Sequence, residues 1–263
     1  MRITPLPAHD RAPAHDCGTP AEARRWASGV DTLDAALGGG LSHGRVHELY
    51  TAQMDDAAAI MGFAMIAATA MAEERSIVWL RSRRCVSQGG LIQASGWAEL
   101  GGAPDNALLA IVPDTLTLLR AATDALRCAT LGAVVVEGGG KMRELDLTAS
   151  RRLALAAEKS GVPLFLLRMD ATPVASAAQT RWQVAAAPSQ ALPGNAPGQP
   201  TFDIELLRQR SGPCGLGWRL EWDRDRRKFR EPQVSGAVAA VPVRRSAADP
   251  GTGLPGPDRR YAA

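Results

Sequence analysis

RVHELYTAQMDDAAAIMGFAM, residues 45–65, holds the junction on which the fold turns. Arg45–Tyr50 reads as a strand. Roughly Asp56–Glu73 reads as a helix that is apolar on nearly every face, which predicts burial on more than one side. In a large class of nucleotide-binding α/β proteins a strand and a buried helix are joined by a glycine-rich loop ending in Gly-Lys-Ser/Thr. Here the join is Thr51, Ala52, Gln53, Met54, Asp55, Asp56 and Ala57. Either a phosphate site has been lost from this junction, or none was ever built there.

Upstream, Asp31 is an N-cap candidate for a short helix through Leu37, and Gly38–Gly40 stops it. Downstream, Ile77–Leu80, Leu108–Val112, Ala133–Val136 and Val162–Leu167 are continuous apolar runs, as expected for parallel strands covered on both faces. Helices are predicted from Asp114 to about Cys128, and from a Thr148 cap to a stop at Gly161. This alternation predicts a doubly wound α/β fold with a mostly parallel sheet. Thr180–Ala185 adds a strand, and 188–200 can only be a loop. Alternating Phe202, Ile204, Leu206 and Trp218, Leu220, Trp222 predict a C-terminal antiparallel hairpin at the sheet edge.

The expected organisation is a loose arm over 1–25, one domain over 26–225 and a disordered basic, Pro/Gly-rich tail over 226–263. A hydrophobic content of 46% is ample for a core, and a net charge of +3 steers the chain toward neither nucleic acid nor membrane. Cys17, Cys85, Cys128 and Cys214 form no CxxC pair, which fits a reducing cytosol without zinc or disulfides. The first residues lack the apolar core of a signal peptide. Ala57–Ala72 is too short and alanine-rich to span a bilayer of about 30 Å. The expectation is a soluble cytoplasmic protein with no membrane partner.

GVDTLDAALGGGLSHGRVHELY, residues 29–50, resembles the entry to the RecA-type ATPase core. The matching positions are Gly29, Leu33, Asp34, Ala36, Leu37, Gly38–Gly40, Gly44, Arg45, Glu48 and Tyr50. Residues 145–168 (LDLTASRRLALAAEKSGVPLFLLR), 176–189 (SAAQTRWQVAAAPS) and 217–223 (GWRLEWD) carry a closer resemblance, to the ImuA family. The likeness extends over roughly residues 27–224. That family resemblance implies a RecA-like accessory protein of an SOS-induced, error-prone translesion synthesis cassette. By family, the implied partners are an ImuB-type polymerase-like protein, RecA and an error-prone replicative-type DNA polymerase.

Against the RecA pattern the departures are chemical. A phosphate loop needs glycines whose consecutive N–H groups close around phosphate, a lysine on the β/γ-phosphates and a hydroxyl on Mg²⁺. Counting on from Tyr50, the first and last glycine positions are Thr51 and Asp56, the lysine position is Ala57 and the hydroxyl position is Ala58. No lysine precedes Lys141. Asp55 and Asp56 fall at a helix N-terminus, where a carboxylate gains about 0.3–1 kcal/mol from the helix dipole. The two aspartates are expected either to occupy the place of the absent phosphate or to act as ordinary N-caps. Glu137 holds the Walker-B position at the end of AVVV, and without lysine and hydroxyl it is expected to be vestigial or structural. No cofactor, catalytic residue or metal ligand is assigned.

His43-x-x-x-His47 has metal spacing, but on extended backbone, and is read as accidental. VEGGGK (136–141) lacks a Ser/Thr after Lys141 and is read as a flexible loop. Arg81, Arg83, Arg84, Lys141, Arg143 and Arg168 follow strand ends, so they gather at the carboxyl edge of the sheet. They form either an anion-facing rim for DNA or an acidic partner, or a solvated edge laced with salt bridges. A second cluster, Arg224, Arg226, Arg227, Lys228 and Arg230 around Phe229, is either a DNA- or partner-binding segment or a solubilising one. Two other functional classes stay open: an SOS-induced cell-division inhibitor with a RecA-like fold, and a DNA-stimulated ATPase with an atypical nucleotide site.

Overall fold

The computed structural model of the chain describes residues 24–51 and 53–232. The arm expected over 1–25 lies outside these residues up to position 23, and the tail does so from position 233. In chain order the first half comprises β1 (Arg25–Trp26), α1 (Asp31–Ala36), β2 (Leu41–Ser42), β3 (Val46–Thr51), α2 (Ala57–Ala72), β4 (Ile77–Ser82), α3 (Arg83–Gly89), α4 (Ala94–Glu99) and β5 (Ala107–Val112). The second half comprises α5 (Thr115–Leu126), β6 (Ala133–Gly139), α6 (Leu147–Ser160), β7 (Leu164–Met169), β8 (Thr180–Ala186), β9 (Thr201–Gln209), β10 (Leu216–Asp223) and β11 (Lys228–Arg230).

Nine strands form one sheet in the order β11-β10-β9-β8-β3-β7-β6-β4-β5. From β8 to β5 every pairing is parallel, and β9, β10 and β11 add antiparallel strands. The doubly wound expectation therefore holds, with the C-terminal hairpin extended by a third strand. Because side chains alternate across a strand, each apolar run supplies both faces. Leu49, Trp79, Val135, Phe165 and Leu167 pack with α2, whereas Val46, Val78, Val134, Val136 and Leu166 pack with α5 and α6. Helix α2 is buried along most of its length and lies on β3, β6, β7 and β8.

Helix ends differ from the sequence reading in instructive ways. Asp31 is in the first turn of α1, not its cap; Asp34 instead reaches back to accept from the N–H groups of Ser28 (2.8 Å) and Gly29 (3.2 Å). Asp146, not Thr148, caps α6 by accepting from Ala149 N–H at 2.7 Å, while Gly161 ends it in the left-handed conformation as expected. Gly40 has φ +110, and a Cβ there would meet the Trp26 carbonyl oxygen at 2.0 Å, so the glycine run both ends α1 and admits β1.

Three segments depart more. Strand β6 continues through Gly138 and Gly139, which pair with Arg168 and Met169, so this part of VEGGGK is sheet and not loop. A Cβ on Gly138 would lie 2.1 Å from the Met142 sulfur, so any larger residue there would push the Met142 side chain aside. Strand β5 is not covered on both faces: it is the sheet's edge, with Leu108, Leu109 and Ile111 exposed. The tail does not begin at 226. The chain turns at Arg227 (φ 51), β11 pairs with β10, and Phe229 is 2% exposed against Trp222, with ring centroids 5.0 Å apart.

Candidate functional site

The junction after β3 is a short 3-10 turn, Met54–Asp56, leading into α2. Asp56 organises it. Its Oδ2 accepts from Gln53 N–H (3.1 Å) while its own N–H donates to the Gln53 carbonyl (3.1 Å). Its Oδ1 accepts from Ala186 N–H at 2.8 Å, tying the loop to the end of β8. The carboxylate thus takes an N–H of the loop and one of a neighbouring strand, and makes no side-chain cap bond to α2. The N-cap reading of Asp56 is corrected accordingly. Asp55 is exposed, Thr51 and Ala57 are half-buried, and Ala58 is exposed.

Glu137 lies inside the sheet, on the α2 face, fully buried. Trp79 Nε1 donates to its Oε1 at 2.6 Å and Arg81 Nε to its Oε2 at 2.9 Å. Register explains the meeting: Trp79 pairs with Val135 and Arg81 with Glu137 across β4 and β6. Burial raises the Glu137 carboxyl above the usual carboxylate range, with the Arg81 charge pulling it back. Arg81 also donates through Nη1 to the Gly90 carbonyl (2.7 Å) and approaches the Met61 sulfur of α2 (3.8 Å). Both carboxylate oxygens are therefore engaged by protein donors, whereas a Mg²⁺ site needs free oxygen ligands.

Nearby, Trp97 packs edge-on to Trp79 and donates to Thr69 of α2 at 2.9 Å. Ser82 caps α3 by accepting from Cys85 N–H, and burial pushes the Cys85 thiol up, leaving it protonated. Arg81, expected on the rim, is 2% exposed and belongs to this internal network. Arg83 and Arg84, also expected there, are exposed on α3.

The opposite face carries a second buried network. Arg181 Nε donates to Glu48 Oε2 at 2.9 Å, and its Nη2 donates to Ser176 Oγ (2.9 Å) and to the Val174 carbonyl. The guanidinium groups of Arg181 and Arg168 lie 5.7 Å and 5.6 Å from the Tyr50 ring centre. Burial raises the Tyr50 phenol, Glu48 adds to the shift, and the two arginines oppose it. Arg168 is 4% exposed, so it too is not an open rim residue. Its Nε and Nη1 have no hydrogen-bond partner. Glu48 and Tyr50 drew notice only as motif positions and Arg181 not at all. An arginine inside the apolar run TRWQVA was the available signal.

Most of the tail cluster is paired. Arg226 meets Asp223 at 3.1 Å, Arg230 meets Glu221, and Arg224 approaches Glu99 at 3.9 Å. Arg227 and Lys228 are exposed and have no carboxylate partner among the described residues. Phe229 is core, so it is not a free anchor for a partner.

His47 is fully buried: Nε2 donates to the Ser42 carbonyl (3.0 Å) and Nδ1 accepts from Thr180 Oγ1 (2.7 Å). The Ser42 carbonyl can only accept, which makes Nε2 the donor and leaves Nδ1 to accept from Thr180, whose oxygen also accepts from Trp182 Nε1 at 2.8 Å. Burial lowers His47 to about 4, and burial with Arg24 and Arg75 does the same for His43. The pair is neutral core, and no group of three or more metal-ligating side chains occurs among the described residues.

No family model matches the chain. Protein ImuA from each of two strains of Caulobacter vibrioides is 32% identical to it over 213 residues, an alignment covering 73% of this chain and 81% of the relative. Among solved structures, the RadB recombinase superposes with a TM-score of 0.52 at 15% identity, covering 79% of this chain and 99% of that one. At that identity the superposition speaks for fold alone, and the fold is RecA-like. The sequence relationship goes further: the chain belongs to the ImuA family.

Proposed function

We propose that the chain is a non-catalytic RecA-fold adaptor of an SOS-induced, error-prone translesion DNA synthesis complex in the cytoplasm. Family membership and the RecA-like fold support the setting. One observation carries the non-catalytic half. The position that a RecA-type ATPase gives to its Mg²⁺-associated acid holds Glu137, whose two oxygens are bonded to Trp79 and Arg81. Ala57 and Ala58 meanwhile stand where lysine and hydroxyl would be. A carboxylate already neutralised by Arg81 inside the sheet, with neither a loop lysine nor a loop hydroxyl to complete the site, cannot assemble a Mg-nucleotide site.

An ImuB-type polymerase-like protein, RecA and an error-prone replicative-type polymerase are the proposed partners, and exposed Arg83, Arg84, Arg227 and Lys228 are the proposed DNA- or partner-facing cations. Asp55 and Asp56 would repel a nucleotide from the old loop. No helix among the described residues is long and apolar enough to cross a membrane. The test is affinity capture after DNA damage, comparing the full chain with one ending at Pro232. That end point keeps β11 and Phe229, which a cut at Asp223 would remove. Capture of the cassette proteins by both assigns their site to the folded domain, and capture by the full chain alone assigns it to 233–263. Capture of none by either contradicts the adaptor reading.

A further inference from the structure

Two guanidinium groups flank the Tyr50 ring, but only one carboxylate serves them. Glu48 neutralises Arg181 at 2.9 Å, and no ion pair among the described residues involves Arg168. A buried guanidinium with unbonded nitrogens is costly unless an anion completes it. Arg168 lines an open pocket of about 590 Å³ at the carboxyl ends of β3, β6 and β7. Lys141 and Arg143 line the same pocket and are exposed. Its lone lining acid, Asp170, lies 4.0 Å from Arg84, so part of its charge is already offset.

The pocket is not purely polar. Met142, Leu145 and Val174 line it beside the cations, and it contains no aromatic ring on which a base could stack. Asp170 within it, and exposed Glu144 and Asp146 close by in sequence, break the basic field into a local spot and not a track for a polyanion. Isolated cations among apolar side chains suit a carboxylate on an apolar peptide, and the planar guanidinium fork matches carboxylate geometry.

We propose that Arg168, with Lys141 and Arg143, receives a carboxylate side chain from an acidic, partly apolar peptide segment of a protein partner. The partner's being a protein rests on the adaptor reading; the carboxylate site does not. Among the described residues Arg168 Nε and Nη1 have no hydrogen-bond partner, so the guanidinium is free to turn toward the incoming anion. Val174, 48% exposed, takes a neighbouring apolar side chain above the buried Met142 and Leu145.

Fluorescence anisotropy with the full chain tests this, using a labelled Glu/Leu peptide, its Gln/Leu counterpart and a single-stranded oligothymidylate. Binding of the Glu/Leu peptide alone is expected, weakened at least about tenfold by Arg168→Gln and by the surface pair Lys141→Gln/Arg143→Gln. The surface pair keeps the test valid if Arg168→Gln fails to fold. Arg168→Lys, which keeps charge but loses the fork, should fall between. Binding of the oligothymidylate in place of the peptide, binding of neither, or peptide binding indifferent to these substitutions would each overturn the proposal. None of these results bears on cassette capture, so failure here leaves the adaptor reading to its own test.

Discussion

Arg81 and Glu137 face each other across two adjacent parallel strands, bonded at 2.9 Å and almost completely buried. The same pair joins β4 to β6, and through Met61 and Gly90 it reaches α2 and the end of α3.

Removing one member of this pair leaves an uncompensated buried charge. Arg81→Ala and Glu137→Ala should each cost about 3–5 kcal/mol in urea unfolding. Replacing both with leucine should cost clearly less than the two single losses combined, because the desolvation of both charges disappears with them. A double variant as unstable as the sum would show that the two side chains act separately.

Acid should weaken the fold through His47. Its pKa is lowered from 6.5 to about 4 by burial, so on acidification the unfolded chain takes up this proton before the folded one does. Its contribution is complete above about pH 6.5 and falls away toward pH 4, in total on the order of 3 kcal/mol at about 1.4 kcal/mol per unit. His43 acts in the same direction, while Glu137, raised by burial, acts in the opposite one. Comparison with His47→Gln isolates the effect: the variant's urea midpoint should depend less steeply on pH between 6.5 and 5.

Phe229 closes the C-terminal end of the core. Its ring stacks on Phe63 at 5.6 Å and meets Phe202 and Trp222 edge-on. Phe229→Ala should destabilise by about 3–5 kcal/mol, as large-to-small core changes do. A chain ending at Asp223 should lose at least as much, and one ending at Pro232 should melt with the full chain.

Asp56 pins its loop through Gln53 and Ala186. With Asp56→Ala, amide exchange at these two N–H groups should speed up by about tenfold or more, while exchange in the body of α2 stays unchanged. Faster exchange throughout α2 would mean that Asp56 holds the helix itself.

Alternation and runs of apolar residues made the sheet and its α2 partner legible, because a parallel strand buried on both faces leaves a continuous signature. Neighbourhood was not legible. Arg81 and Glu137 are 56 positions apart, and only strand order and register bring them together, so Arg81 reads as a rim residue until β6 is set beside β4. Edge position is equally silent: β5 carries the apolar run of a central strand but ends the sheet. Helices α3 and α4 are too short for periodicity to register, and the tail began late because one buried ring, Phe229, outweighed the surrounding charge.

The central claim is that this RecA-like domain works without a nucleotide. Equilibrium dialysis of the purified chain against Mg-ATP, with and without single-stranded DNA, tests it most directly. No saturable binding is expected at physiological Mg²⁺. Stoichiometric, saturable binding that disappears on substitution in residues 51–58, or with Glu137→Gln, would contradict the account.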